Sequence, residues 1–119
     1  MLGFGTGTAY YKTGDESKLD QSCIDAVKSA IKVGYYHLDG AEAYKTETEL
    51  GMAIKESGVA REKLFVTTKV ADGIEDVKGA IERSLKKLGV DYVDLCVFSK
   101  SIFLFVVVVV SVLCADGRW

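Results

Sequence analysis

The sequence predicts an α/β fold of four parallel strands alternating with three helices. Strand-like and helix-like signals alternate through the first 98 residues. The connections between them are short, as crossover helices between parallel strands require. The repeat is about thirty residues per unit, the size of a βαβ element. At 119 residues the chain is long enough for one domain with a modest core and too short for two.

Leu2 to Thr6 reads as the first strand. Ser17 to Val33 places Leu19, Cys23, Ile24, Val27, Ala30 and Ile31 on one face at helical spacing, with Gly34 at the expected stop. Tyr35 to Leu38 is the second strand. Thr46 followed by Glu49 has the form of a capping box; Leu50, Ala53 and Ile54 give the next helix its apolar side, and Gly58 ends it. Leu64 to Thr68 is the third strand, with Lys69 at its end. Asp72 with Glu75 repeats the cap in weaker form, and Ile74, Val77, Ile81, Leu85 and Leu88 make an apolar stripe that stops at Gly89. Tyr92 to Phe98 is the fourth strand.

Residues 101 to 119 break the pattern with five consecutive valines and neither helical nor alternating periodicity. The tail is expected to lie outside the evolved domain, for instance as sequence translated past a splice junction or a frameshift. Its apolar run from Ile102 to Leu113 falls short of the roughly 20 residues that span a bilayer as a helix. A tail anchor is the weaker alternative. Unburied, such a β-branched run is an aggregation hazard; paired along a sheet edge, it would form a fifth strand.

Charge excludes some functions. The 15 basic and 17 acidic residues give a net charge of -2 and interleave along helix-like segments, so no basic stripe marks a nucleic-acid surface. Cys23, Cys96 and Cys114 are widely spaced in apolar contexts, with neither metal-ligand nor disulfide spacing. A reduced, cytoplasmic setting is the expectation. The start, MLGFGTGTAYYKTG, lacks the charged and apolar regions of a signal peptide.

The stretch GYYHLDGAEAYKTETELG is the most informative in the chain. Its strand delivers Asp39 into a short loop, Tyr44 follows, and Lys69 ends the next strand; parallel sheets and barrels keep their chemistry at these carboxyl ends. In carbonyl reduction a nicotinamide gives hydride to carbon and the oxygen must gain a proton. A phenol suits that task better beside a cation that favours phenolate. Tyr44 is the candidate acid, Lys69 the candidate cation, and Asp39 the group that keeps the lysine charged and fixed. The residue types alone are equally compatible with a loop tyrosine packed on a rim and a surface lysine ending a strand. GFGTGT lacks both a P-loop ending and a full dinucleotide-binding turn, so its glycines read as a tight turn or a close backbone approach.

Residues 3 to 98 resemble the aldo-keto reductases through GFGTGT, GYYHLDGAEAYKTETELGMAI, REKLFVTTKV and SLKKLGVDYVDL, in that order. The second stretch carries the family's signature residues at Gly34, Asp39, Glu47, Leu50 and Gly51, and departs from it at Tyr36, where an arginine is usual. GTGTAYYK with LDGAEAYKTE looks like fungal members that reduce ketoamides and related carbonyls. The resemblance implies the amino-terminal half of a (β/α)8 TIM barrel, a soluble cytoplasmic enzyme reducing small aldehydes or ketones with NADP(H), and a monomer at full length. It carries Asp39, Tyr44 and Lys69 onto three of four catalytic positions, with Tyr44 as proton donor. It places Gly5, Thr6 and Asp39 against the cofactor.

The fourth position departs from the family. Members place a histidine after a strand like DYVDLCVF, where this chain has Ser99 and Lys100. The single histidine, His37, lies two residues before Asp39 and reads as a half-buried strand residue. A complete barrel of this type has roughly 250 residues and eight strands. Residues 1–99 are therefore expected to form a partial domain, truncated and inactive alone, with self-association left open by its sheet edges. The alternatives are a half-barrel interaction module or pseudoenzyme and, less so, a tail-anchored membrane protein.

Overall fold

A computed structural model describes residues 2–71, 74–99 and 105–108. Its order is β1 (Gly3–Gly5), α1 (Gln21–Lys32), β2 (His37–Asp39), α2 (Glu47–Ser57), β3 (Phe65–Val70), α3 (Val77–Leu88), β4 (Leu95–Ser99) and β5 (Phe105–Val108). Short 3-10 turns precede α2, β3 and α3. The sheet runs β1-β2-β3-β4-β5; the first four strands are parallel, and β5 pairs antiparallel with β4.

Adding each parallel strand on the same side of the last by a right-handed crossover puts all three helices on one face of the sheet. On that face Leu38, Val66, Val70 and Cys96 pack against Ile24, Val27, Leu50, Ala53, Ile81 and Leu85. Register partners in parallel strands point the same way. Gly5, Asp39, Thr67 and Leu95 are partners in one row, with Lys69 and Val97 partners one step on along the same face. That row lies on the helix-free face, which becomes the inside when such a sheet curls into a barrel.

The helix stops at Gly58 and Gly89 are left-handed caps, with φ of 70° and 63°. The starts differ from expectation. α1 begins at Gln21, not Ser17, because Asp20 is its cap, accepting the N–H groups of Ser22 and Cys23 at 2.9 and 3.2 Å. Leu19 therefore falls before the helix and is exposed. α2 does follow Thr46, but there is no capping box: the Thr46 hydroxyl donates to Thr6 Oγ1 at 3.0 Å, and Glu49 reaches the α1 cap. Asp76 caps α3 by accepting the Gly79 N–H at 3.0 Å, where Asp72 was expected; Asp72 lies outside the described residues. Strands 2 to 4 each begin one to three residues later than periodicity suggests.

Two networks tie the layers. Arg61 donates to the Leu64 and Tyr92 carbonyls and to Asp94, at 2.7, 2.9 and 2.7 Å, while Asp94 accepts the Val66 N–H at 2.8 Å. This fastens β3 to the segment entering β4. Between sheet and α2, Thr68 donates to Glu47 Oε1 at 2.5 Å, and Glu47 Oε2 is buried without a hydrogen-bond partner among the described residues. Burial pushes the Glu47 carboxyl above the usual carboxylate range, opposed by the Thr68 hydroxyl. A raised folded-state value means that its contribution to stability is present below the unfolded value and lost as pH rises through the folded one. Glu47→Gln is accordingly expected to flatten the decline in urea midpoint above the ordinary carboxylate range and to change little at lower pH; an unchanged slope contradicts this.

Cys23 and Cys96 are free and buried, and burial pushes their thiols up to about 12 and about 11. Cys114 lies outside the described residues. So does most of the valine-rich tail; residues 105–108 form the edge strand β5. Among the described residues no helix is long and apolar enough to cross a membrane.

Candidate active site

Asp39 is the last residue of β2, and its carbonyl accepts the Thr6 N–H at 3.0 Å while the next N–H, of Gly40, donates to the Thr67 carbonyl at 2.9 Å. The end of β2 is thereby stitched to both neighbouring strands. β3 runs further and carries Lys69 two residues beyond Thr67, the register partner of Asp39. From there the ammonium reaches back along the open face and donates to both Asp39 carboxylate oxygens, at 2.5 and 2.6 Å, and to the Gly40 carbonyl at 3.1 Å.

Tyr44 arrives by a different route. After Asp39 the chain makes the 3-10 turn Glu42–Tyr44, closed by the Tyr44 N–H on the Ala41 carbonyl at 3.1 Å. Lys45 then takes a left-handed conformation, φ 57°, that redirects the chain into α2. The turn folds the phenol back so that Lys69 donates to its oxygen at 3.3 Å. Because the ammonium is the donor, the phenolic hydrogen is left to point away from Lys69. Asp39 and Lys69 side chains are each about a third exposed (34% and 29%). The structure thus brings Asp39, Tyr44 and Lys69 together at the carboxyl end of the sheet.

The other site residues fare differently. Gly5 is exposed on the same face, and a Cβ there would lie 3.8 Å from Asp39 Oδ2. Thr6 is fully buried: its hydroxyl donates to the Asp39 carbonyl at 3.3 Å and accepts from Thr46. Its side chain locks the strand end and presents no surface to a ligand. His37 is half-buried, 3.1 Å from Thr67 Oγ1 and edge-on to Phe65, as expected of a strand histidine. Ser99 ends β4. Among the described residues no cluster of ligating side chains could hold a metal ion.

Gly7 is a site residue that its sequence context does not single out. A Cβ on it would come within 2.7 Å of Tyr44 Cζ, so the tyrosine ring lies directly on the glycine backbone. The glycine-rich start had suggested a close backbone approach without saying to what. Tyr11 meets the same ring edge-on, with centroids 6.1 Å apart.

Comparison with known proteins finds similar sequences and similar folds. The model of the "Aldo/keto reductase family" matches residues 2–102. A Schizosaccharomyces pombe NAD/NADP-dependent indole-3-acetaldehyde reductase is 42% identical over 92 residues, covering 77% of this chain and 32% of that protein. A Saccharomyces cerevisiae aldehyde reductase is 45% identical over 97 residues, 80% of this chain and 28% of its own. Among solved structures, a Bombyx mori aldo-keto reductase in complex with NADP superposes with a TM-score of 0.68 at 41% identity, covering 80% of this chain and 32% of that one. The chain spans about a third of the length of these relatives.

Proposed function

This chain belongs to the aldo/keto reductase family, and we propose that residues 2–99 carry the proton-donating part of an NADPH-dependent carbonyl reductase site. The observation that carries the reading is the Lys69 ammonium held between the Asp39 carboxylate and the Tyr44 phenol. Asp39 holds the Lys69 ammonium in place. Lys69 stabilises the phenolate that remains when Tyr44 gives up its proton. Tyr44, its oxygen already accepting from Lys69, points that proton outward to the oxygen of a small aldehyde or ketone. Gly5, which is exposed and puts no side chain beside Asp39, and Asp39 itself would hold the nicotinamide end of NADPH, which would supply the hydride.

By itself the 119-residue chain is proposed to be inactive. Ser99 stands where the family's histidine is expected, and the matched region is about a third of each relative. The antiparallel seat of β5 on the β4 edge also favours a non-catalytic half-barrel for the chain alone. The test replaces the matching region of the S. cerevisiae aldehyde reductase with residues 1–98 of this chain, so that the yeast chain supplies the position held here by Ser99 and everything after it. The chimera is expected to oxidise NADPH with a reactive aldehyde, and the 119-residue chain to show no rate above buffer. An inactive but folded chimera would count against the reading.

A further inference from the structure

Besides Glu47, Glu49 is a fully buried carboxylate, and unlike Glu47 it is paired with a lysine. Glu49, in the first turn of α2, accepts the Lys12 ammonium and, at 2.9 Å, the Asp20 N–H. Lys12 is only 11% exposed and donates its remaining protons to the carbonyls of Glu16 and Lys18, at 3.2 and 2.8 Å. Every Lys12 ammonium proton thus has an acceptor, while Glu49 Oε2 is buried without a hydrogen-bond partner among the described residues, so removing Lys12 would leave an uncompensated buried charge. The pair fixes the long connection between β1 and α1 onto α2.

The same connection grips Tyr44 at three points. The Lys12 N–H donates to the Tyr44 carbonyl at 3.2 Å. Gly7 lies under the ring, and Tyr11 meets it edge-on. Lys69 also meets the ring, with its ammonium 3.3 Å from the phenol oxygen and 5.0 Å from the ring centroid. Where the ring sits relative to Lys69 is therefore decided largely by the connection, and the connection by its anchor.

We propose that the segment joining β1 to α1 is the positioning element for the Tyr44 proton donor, with the buried Lys12–Glu49 pair as its anchor. The proposal rests on the reading of Tyr44 and Lys69 given above. The pair touches no substrate. It acts through the ring it holds, so its loss displaces the phenol from Lys69 while the sheet persists.

The test uses the whole 119-residue chain labelled with 13C in tyrosine and lysine. The nuclear Overhauser effect between the Tyr44 ring and the Lys69 ε-methylene is measured, assigned by its disappearance in Tyr44→Phe and in Lys69→Met. In Lys12→Met/Glu49→Gln the contact is expected to weaken several-fold and the Tyr44 ring to flip about tenfold faster, with β3 and β4 amide signals unmoved. Glu49→Gln alone, which removes the charge and keeps one acceptor oxygen for the Lys12 and Asp20 contacts, gives the same readout where the double variant does not fold, and is expected to show the same changes in lesser degree. A merely structural pair would lower the urea midpoint and leave contact and flip rate unchanged in the folded variants; that result overturns the proposal. Absence of the contact in the unsubstituted chain would instead overturn the reading of Tyr44 and Lys69 as a unit.

Discussion

Tyr44→Phe in the chimera is expected to lower kcat by about 10²–10⁴-fold, the usual contribution of a positioned general acid, with KM for the aldehyde nearly unchanged. The substitution removes one oxygen and leaves the ring on Gly7 and against Tyr11. The only polar partner of that oxygen among the described residues is Lys69. Its loss therefore leaves the sheet and the helix core intact, and the decrease reports on proton donation rather than on folding. Steady-state rates with NADPH check it, and a decrease smaller than tenfold contradicts the role given to Tyr44.

Gly51→Ala is expected to cost about 3 kcal/mol, at the upper end for overpacking. A Cβ at Gly51 would lie 2.1 Å from the Leu88 carbonyl oxygen and 2.6 Å from the carbonyl carbon. Both are backbone atoms at the end of α3, so no rotamer change relieves the clash and the two helices must separate. A loss of that size is a large fraction of the stability of a domain this small. Gly14→Ala is the control: a Cβ there meets nothing within 4 Å, and the effect is expected to stay within about 0.5 kcal/mol. Urea midpoints of the two variants check the contrast, and equal midpoints contradict the close approach of α2 to α3.

What the sequence made legible follows from how each feature is encoded. Helix faces such as Ile24, Val27 and Ile31 are periodic along the chain, and glycine stops such as Gly58 and Gly89 are local, so both can be read directly. Asp39 and Lys69 were placed together because the ends of successive parallel strands are adjacent by topology. The capping box failed because Thr46 and Glu49 have longer-range partners, Thr6 and Lys12, that outcompete the local pairing. Asp20 was passed over as a cap because Leu19 extended the apolar pattern backwards. The glycine-rich start signalled a turn or a close approach but not what approaches Gly7, since that is set by a ring 37 positions away that only the fold brings near. The seat of β5 was legible only as a run of β-branched residues that would pair with some edge; a uniform valine run does not encode whether it pairs parallel or antiparallel.

A double-mutant cycle in the chimera tests most directly whether Lys69 and Tyr44 work as one proton-transfer unit. Rates are measured for the unsubstituted chimera, Tyr44→Phe, Lys69→Met and the double variant. If Lys69 acts through the phenol, removing it matters little once the phenol is gone, and the double variant should be about as slow as Tyr44→Phe alone. Losses that multiply, so that the double variant falls by the product of the two single effects, would show the residues acting independently and would contradict the unit.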